Sequence, residues 1–432
     1  MSLLLAVALL AAPEAEITAL DPATTLVFVP DHRAPLVEVR LEVPVGRWSP
    51  WFRAQGGEAA WEALLLDPER ALLRRADALA VDLSLHADSR SCTLRASFLR
   101  EDLEPATALL RAILAEHALD RKELKRRARA RTLGWRLSMK DPSFVLQRAS
   151  AFLLFPEGDP RRLGYLPPPR HVPADAALRA AQARMLAMPG RALGVAGDLD
   201  RDAAISLARA LLPPADAARP QGADPSLPAA VPLAQRQDVT ETLPGLTQVY
   251  LADVRTSLPL QEADAPAWAI ADHVLGGHFY ARLSTALRHE GGETYGAWTR
   301  GTRETVETVY AASTFTRTDN AATAERKLSQ VLRTFHEGGI TEEEREAALG
   351  YLRGRLPFSR QEPAQILERA LFERRIGLAP GTLDALVDRA EALSLEEVNA
   401  FIRRFYDPAL FRRVRVGTGT KKNGEPGARQ QR

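Results

Sequence analysis

The sequence is short of several things, and each shortage excludes something. It has one cysteine, Cys92, so neither an internal disulfide nor a multi-cysteine metal site can form. It has little excess charge: 57 lysines and arginines face 55 acidic residues, a formal net charge of +2. That balance gives no electrostatic case for nucleic acid. No apolar run is long enough for a transmembrane helix. Paired histidines are missing too. The eight histidines, at 32, 86, 117, 171, 273, 278, 289 and 336, form no i, i+4 pair. His273 and His278 are five apart across a helix end and read as surface or turn residues.

What is present is a globular composition: 432 residues, 46% hydrophobic and 26% charged. That length suggests two or three domains. Cys92 reads as a small, partly buried strand residue. Near the start, Leu3 to Ala12 form an apolar run of signal-peptide length, followed by small residues. No Lys or Arg precedes it. An export signal implies a periplasmic or secreted protein; a buried N-terminal segment, the other reading, is compatible with the cytoplasm.

Patterning then divides the chain. "TTLVFVPD" and "PLVEVRLEVPVG" read as two strands joined by a turn. Val37, Val39, Leu41 and Val43 alternate with Glu38, Arg40 and Glu42, the period of a half-buried strand. A glycine pair opens a helix in "GGEAAWEALLLD". "ALAVDLSLHADSRSCTLRASFL" reads as two more strands with a turn near Asp88. Residues 101–137 have helical period, with the basic run "RKELKRRARAR" inside them. That run reads as a solvated helix face, or else as a patch for phosphate or an acidic partner.

Near residue 213 the texture changes to "PPADAARPQGADPSLPAAVPL", a linker rich in Pro and Ala. Strand "LTQVYLADV" follows it. A helix then runs from Asp264, a candidate N-cap with Pro266 just inside, to about Leu275. The halves also end alike: "MLAMPGRALGVAGDLD" and "RRFYDPALFRRVRVGTGT" each run from a helix through a proline to a strand and a glycine turn. A layout repeated at about half the chain length indicates a tandem duplication. The expected fold is α+β: two similar domains, each a mainly antiparallel sheet packed with helices. The expected boundaries are a signal segment at 1–15, a first domain at 16–212, a linker at 213–233, a second domain at 234–419 and a disordered tail at 420–432.

One block is more specific. "ADHVLGGHFYARLSTALRHEGGETYGAWT" resembles the second-domain signature of the M16 metallopeptidases, the family of pitrilysin, insulinase and the mitochondrial processing peptidase. Leu275, Gly276, Gly277, Phe279, Arg282, Leu283, Leu287, Arg288, Gly292 and Tyr295 carry the likeness. It continues more weakly along nearly the whole chain. The resemblance implies that Arg288 and Tyr295 contact the substrate backbone and the developing oxyanion, with Gly276, Gly277 and Phe279 binding substrate. Guanidinium and phenol are suitable donors for that task. Glu293 departs from the hydrophobic residue more usual two before the tyrosine.

The resemblance also implies a zinc motif, His-x-x-Glu-His, in the first domain, with a distal glutamate as third ligand. Here the helix in that place has Ala59, Glu62 and Ala63 at the three positions. Shifted by one residue they become Ala60, Ala63 and Leu64. No glutamate lies between Glu123 and Glu157. These positions are not metal ligands, and no cofactor is expected in this chain. The chain therefore resembles the zinc-less subunit of a two-chain M16 peptidase. The resemblance implies a zinc-bearing M16 partner, unstructured peptide substrates and no activity alone. A purely structural or binding M16-like subunit is the alternative, and a homo-oligomeric peptidase with an unrecognised metal site is a third.

Overall fold

The computed structural model describes residues 14–212, 227–259, 263–301, 304 and 306–418. Most of the expected signal segment, most of the linker and the whole expected tail lie outside the described residues. The chain folds as two compact units. The first comprises residues 1–135, 158–228 and 349–389; the second comprises 136–157, 229–348 and 390–432. Each unit is therefore discontinuous in sequence, whereas the sequence reading places single boundaries at 212 and 234.

The first unit is built on six strands: β1 (Glu16–Asp21), β2 (Thr24–Pro30), β3 (Leu36–Val43), β4 (Asp82–Ala87), β5 (Cys92–Leu99) and β6 (Arg191–Gly197). Their order is β1-β2-β6-β3-β5-β4. The hairpin expected between β2 and β3 does not form, because β6 lies between them, parallel to β2 and antiparallel to β3. β6 is "RALGVAG", buried at every residue, as a central strand covered on both faces must be. The β4–β5 turn does fall at Asp88, whose Oδ1 accepts from the amides of Arg90 and Ser91 at 2.7 and 2.6 Å. Cys92 is fully buried on β5.

β3 is not half-buried, as its alternation suggests. Arg40 and Glu42 are buried with the valines, because the helix Pro363–Arg375 covers that face. Arg40 meets Glu368 at 3.1 Å and Glu42 meets Arg375 at 3.3 Å. Burial pushes the Glu42 carboxyl up to about 7, against the pull of Arg375. Beside this ionic strip the same helix packs Ile366, Leu367, Ala370 and Leu371 on Val27, Val29, Ala192 and Ala196. Gly194 makes the close approach possible: a Cβ there would sit 2.8 Å from both Leu367 and Leu371.

The second unit repeats the plan with five strands: β7 (Val239–Thr242), β8 (Gln248–Thr256), β9 (Ala297–Gly301), β10 (Val309–Arg317) and β11 (Arg412–Gly417). The order β7-β11-β8-β10-β9 is that of the first sheet without β1. β11 is the counterpart of β6, parallel to β7 and antiparallel to β8. Each sheet is thus mixed, with one parallel pair beside β11 or β6 and antiparallel pairs elsewhere. Helix Pro142–Leu154 packs on β8 and β11. An aromatic core joins Trp268, Tyr310, Phe335, Phe401, Phe405 and Tyr406, with ring centroids 5.0–6.1 Å apart. Helix Leu395–Phe405 opens with the capping box that "LSLEE" encodes, Ser394 and Glu397 bonding reciprocally.

Candidate functional site

The expected site residues of the second unit gather around edge strand β9. Helix Ala265–Asp272 follows Asp264, which stands at the N-cap but makes no side-chain cap bond. The helix widens into a π turn at His273–Gly277, and a second π turn covers Thr285–His289. Such turns are rare and gather at functional sites. Gly276 is glycine because the π turn presses on β9: a Cβ there would lie 2.4 Å from the Thr299 amide nitrogen. Gly276 and Gly277 therefore act through close backbone approach, and neither offers a side chain to a ligand.

Beyond the glycines the chain puts aromatic rings into solvent. Phe279 is 50% exposed and Tyr280 72%. The ring of His289 lies 4.9 Å from Phe279 and stacks on Tyr280 at 5.2 Å. The Arg288 guanidinium sits 4.3 Å above the centre of the Phe279 ring. This cation–π contact restricts a long side chain that would otherwise be free. Next to the cluster, His273 and His278 stack at 4.5 Å. Burial, then the neighbouring His278, depresses His273 to about 4, and burial also lowers His278. Both rings are neutral at physiological pH.

Tyr295 stands on a pinned loop. Gly292 takes a left-handed φ of 66°, and its amide donates to the Arg288 carbonyl at 3.1 Å while the Glu293 amide donates to that of Leu287 at 3.0 Å. Glu293, the unusual residue, turns inward to Lys327 at 2.7 Å. That pair fills the space beside Gly291, where a Cβ would clash with the Glu293 carboxylate. The Thr294 hydroxyl is buried and bonds the Phe315 carbonyl; the Thr316 hydroxyl donates to the Glu293 carbonyl at 2.5 Å. With its neighbours held, Tyr295 alone projects, 81% exposed. Arg282 has a different duty. Its guanidinium binds Glu344 in a fork at 2.7 and 2.6 Å and so ties the short turn to helix Glu342–Phe358.

The first unit holds the helix that the sequence reading aligned with the zinc motif. Helix Gly57–Glu62 and the turn after it bury Ala59, Ala60 and Ala63 among Leu66, Leu119, Leu124, Ala128, Val172, Leu178 and Ala181. Alanine offers a metal no electron pair. Glu62 is already engaged, its Oε2 2.5 Å from Arg131 Nη1. The donor set does not fit a two-histidine, one-carboxylate zinc centre. Among the described residues, no group of three His, Cys, Asp or Glu is arranged to hold a metal ion.

Residues 177–352 match the family model described as the peptidase M16 inactive domain. Over those residues the sequence is similar to that family. No curated protein matches the chain. Solved structures do. A peptidase M16 inactive domain from Pseudomonas fluorescens is 17% identical, with a TM-score of 0.80 over 95% of this chain and 100% of that one. A protease from Helicobacter pylori is 12% identical, TM-score 0.78, over 94% and 100%. The periplasmic protease PqqL from Escherichia coli is 12% identical, TM-score 0.73, over 94% of this chain and 47% of its own. At these identities the likeness is one of fold.

The sequence reading singled out Arg288, Tyr295, Phe279 and the two glycines. It missed Tyr280 and His289, which complete the aromatic cluster. Their only signal was adjacency, since each directly follows a residue already singled out.

Proposed function

We propose that this M16-like chain is the zinc-less subunit of a two-chain peptidase, offering Arg288 and Tyr295 to a peptide that a zinc-bearing M16 partner hydrolyses. The observation that carries the reading is the contrast between an exposed, well-supported Arg–Tyr loop and a helix whose metal positions are alanines inside the core. A scaffold subunit has no use for an 81% exposed tyrosine on a loop fixed from both sides. In the proposed role Arg288 donates to a peptide carbonyl, and the Tyr295 hydroxyl donates to the oxygen that gains charge in the tetrahedral intermediate. The exposed rings of Phe279 and Tyr280 offer apolar area to side chains flanking the scissile bond. Zinc and the water it activates belong to the partner. The match to an inactive M16 domain supports a non-catalytic chain. An exported location is part of the reading. The apolar N-terminal run and the periplasmic fold relative support it, and no described helix is long and apolar enough to cross a membrane.

The test is co-expression with a zinc-bearing M16 chain and an assay on unstructured peptides for each chain alone and for the mixture. Hydrolysis by the mixture only is expected, and hydrolysis by this chain alone would refute the reading. In the reconstituted pair, Tyr295→Phe should leave assembly intact and lower kcat by roughly 10²-fold, the usual loss for one oxyanion donor. Unchanged turnover would return the chain to a purely structural role.

A further inference from the structure

Helix Gly57–Glu62 carries two carboxylates four residues apart, Glu58 and Glu62, on the side that its buried alanines leave free. Two like charges at that spacing repel. The structure gives them two arginines. Arg131, from helix Arg121–Ser138, reaches Glu62 through Nη1 at 2.5 Å and Glu58 through Nε at 3.8 Å. Arg47 binds the other oxygen of Glu58 at 2.9 and 3.2 Å. The side chains of Arg131, Glu58 and Glu62 are about three-quarters or more shielded from water.

We infer that Arg131 is a built-in cation that takes the electrostatic place of a metal dication beside Glu62, so that restoring the two missing imidazoles would not by itself restore a metal centre. The resemblance implies a distal glutamate ligand several tens of residues on, and no glutamate lies between Glu123 and Glu157. In that stretch this chain supplies Arg131, whose guanidinium lands on Glu62, the general-base position when the motif is read as Ala59, Glu62 and Ala63. A guanidinium cannot shed its proton at any pH a protein tolerates. A dication beside Glu62 would meet a fixed positive charge and would have to compete for a carboxylate already bonded. Loss of the metal site is thus written twice, in the alanines and in the sign of residue 131.

The inference draws on the zinc-less half of the proposed function and not on the partner. Zinc analysis of the unmodified chain separates the two: stoichiometric zinc there would overturn the proposed function itself. Given a zinc-free chain, two variants of the full protein are compared after dialysis against zinc, with circular dichroism to check folding. Ala59→His/Ala63→His should retain no zinc. Adding Arg131→Glu should bring stoichiometric zinc. The inference is overturned if the double variant alone is stoichiometrically loaded, or if the folded triple variant takes up no more than the double.

Histidines at two core alanines can prevent folding, so a third variant leaves the core untouched. Arg131→Ala exposes Glu58 and Glu62 as a less compensated acid pair. Zinc should then raise the Tm of Arg131→Ala while leaving that of the unmodified chain in place. A purely structural ion pair would lower Tm on mutation without creating a zinc response, and that outcome would sink the inference.

Discussion

The two units carry one strand plan and differ in the region that follows the central strands. In the first, the helix after the central strands has been closed. Its motif positions are core alanines, and its remaining carboxylates are bound by arginines. In the second, the corresponding region is open. Two π turns, a pinned loop and a cation–π contact hold polar and aromatic groups at the surface. Burial contributes nothing to an exposed tyrosine, so the second arrangement is hard to explain by stability. The difference teaches that one strand plan can carry a packed helix in one copy and supported, exposed side chains in the other.

Four experiments break or sharpen that contrast. The largest effect is expected on turnover of a reconstituted pair. Arg288→Ala should lower kcat by roughly 10²–10³-fold, on the order of 3–4 kcal/mol, while Glu62→Gln in the first unit should lower Tm and spare kcat. Equal losses in both would mean that the first unit still takes part in the chemistry. Next comes Gly276→Ala. A Cβ 2.4 Å from the backbone of Thr299 forces β9 or the π turn to move, at about 1–3 kcal/mol by denaturant unfolding.

The third is a matter of pH, where the units should respond with opposite signs. In the first, Glu42 is raised from 4.5 to about 7, so the folded state binds the extra proton and stability grows as pH falls through that window. In the second, His273 is lowered from 6.5 to about 4, so the unfolded state binds the proton first and stability falls as pH drops through that window. Glu42→Gln should flatten the first slope and His273→Gln the second, read as Tm against pH. Slopes unmoved by either change would remove both assignments. The smallest effect is a near-absence: Tyr295→Phe should shift unfolding by no more than about 0.5 kcal/mol, as expected of an exposed hydroxyl. A large shift would reveal a structural duty for the phenol.

Much of this was legible in the sequence, and for local reasons. Alternation marked β3, β4 and β5, and the turn between β4 and β5 was read at Asp88. What was not legible depends on partners far away in the chain. Nothing near Leu26 says that its neighbour in the sheet is Leu193. The polar face of β3 looks solvent-facing until Glu368 and Arg375 arrive from more than three hundred residues on. Glu293 looked like a defect in the Arg–Tyr loop, because Lys327, which takes up its charge, lies on another element. Arg131 was hidden inside a basic run whose other members had the ordinary look of a solvated face.

The helix Pro363–Arg375 also sets an order of events during synthesis. Val27 and Val29 on β2, with Ala192 and Ala196 on β6, need that helix to cover them. All four emerge from the ribosome well before it does. At typical elongation rates of about 5–20 residues per second, the apolar strip waits roughly ten to forty seconds for its cover. The first sheet is thus a surface that a chaperone can hold, and that a truncated transcript would leave permanently bare.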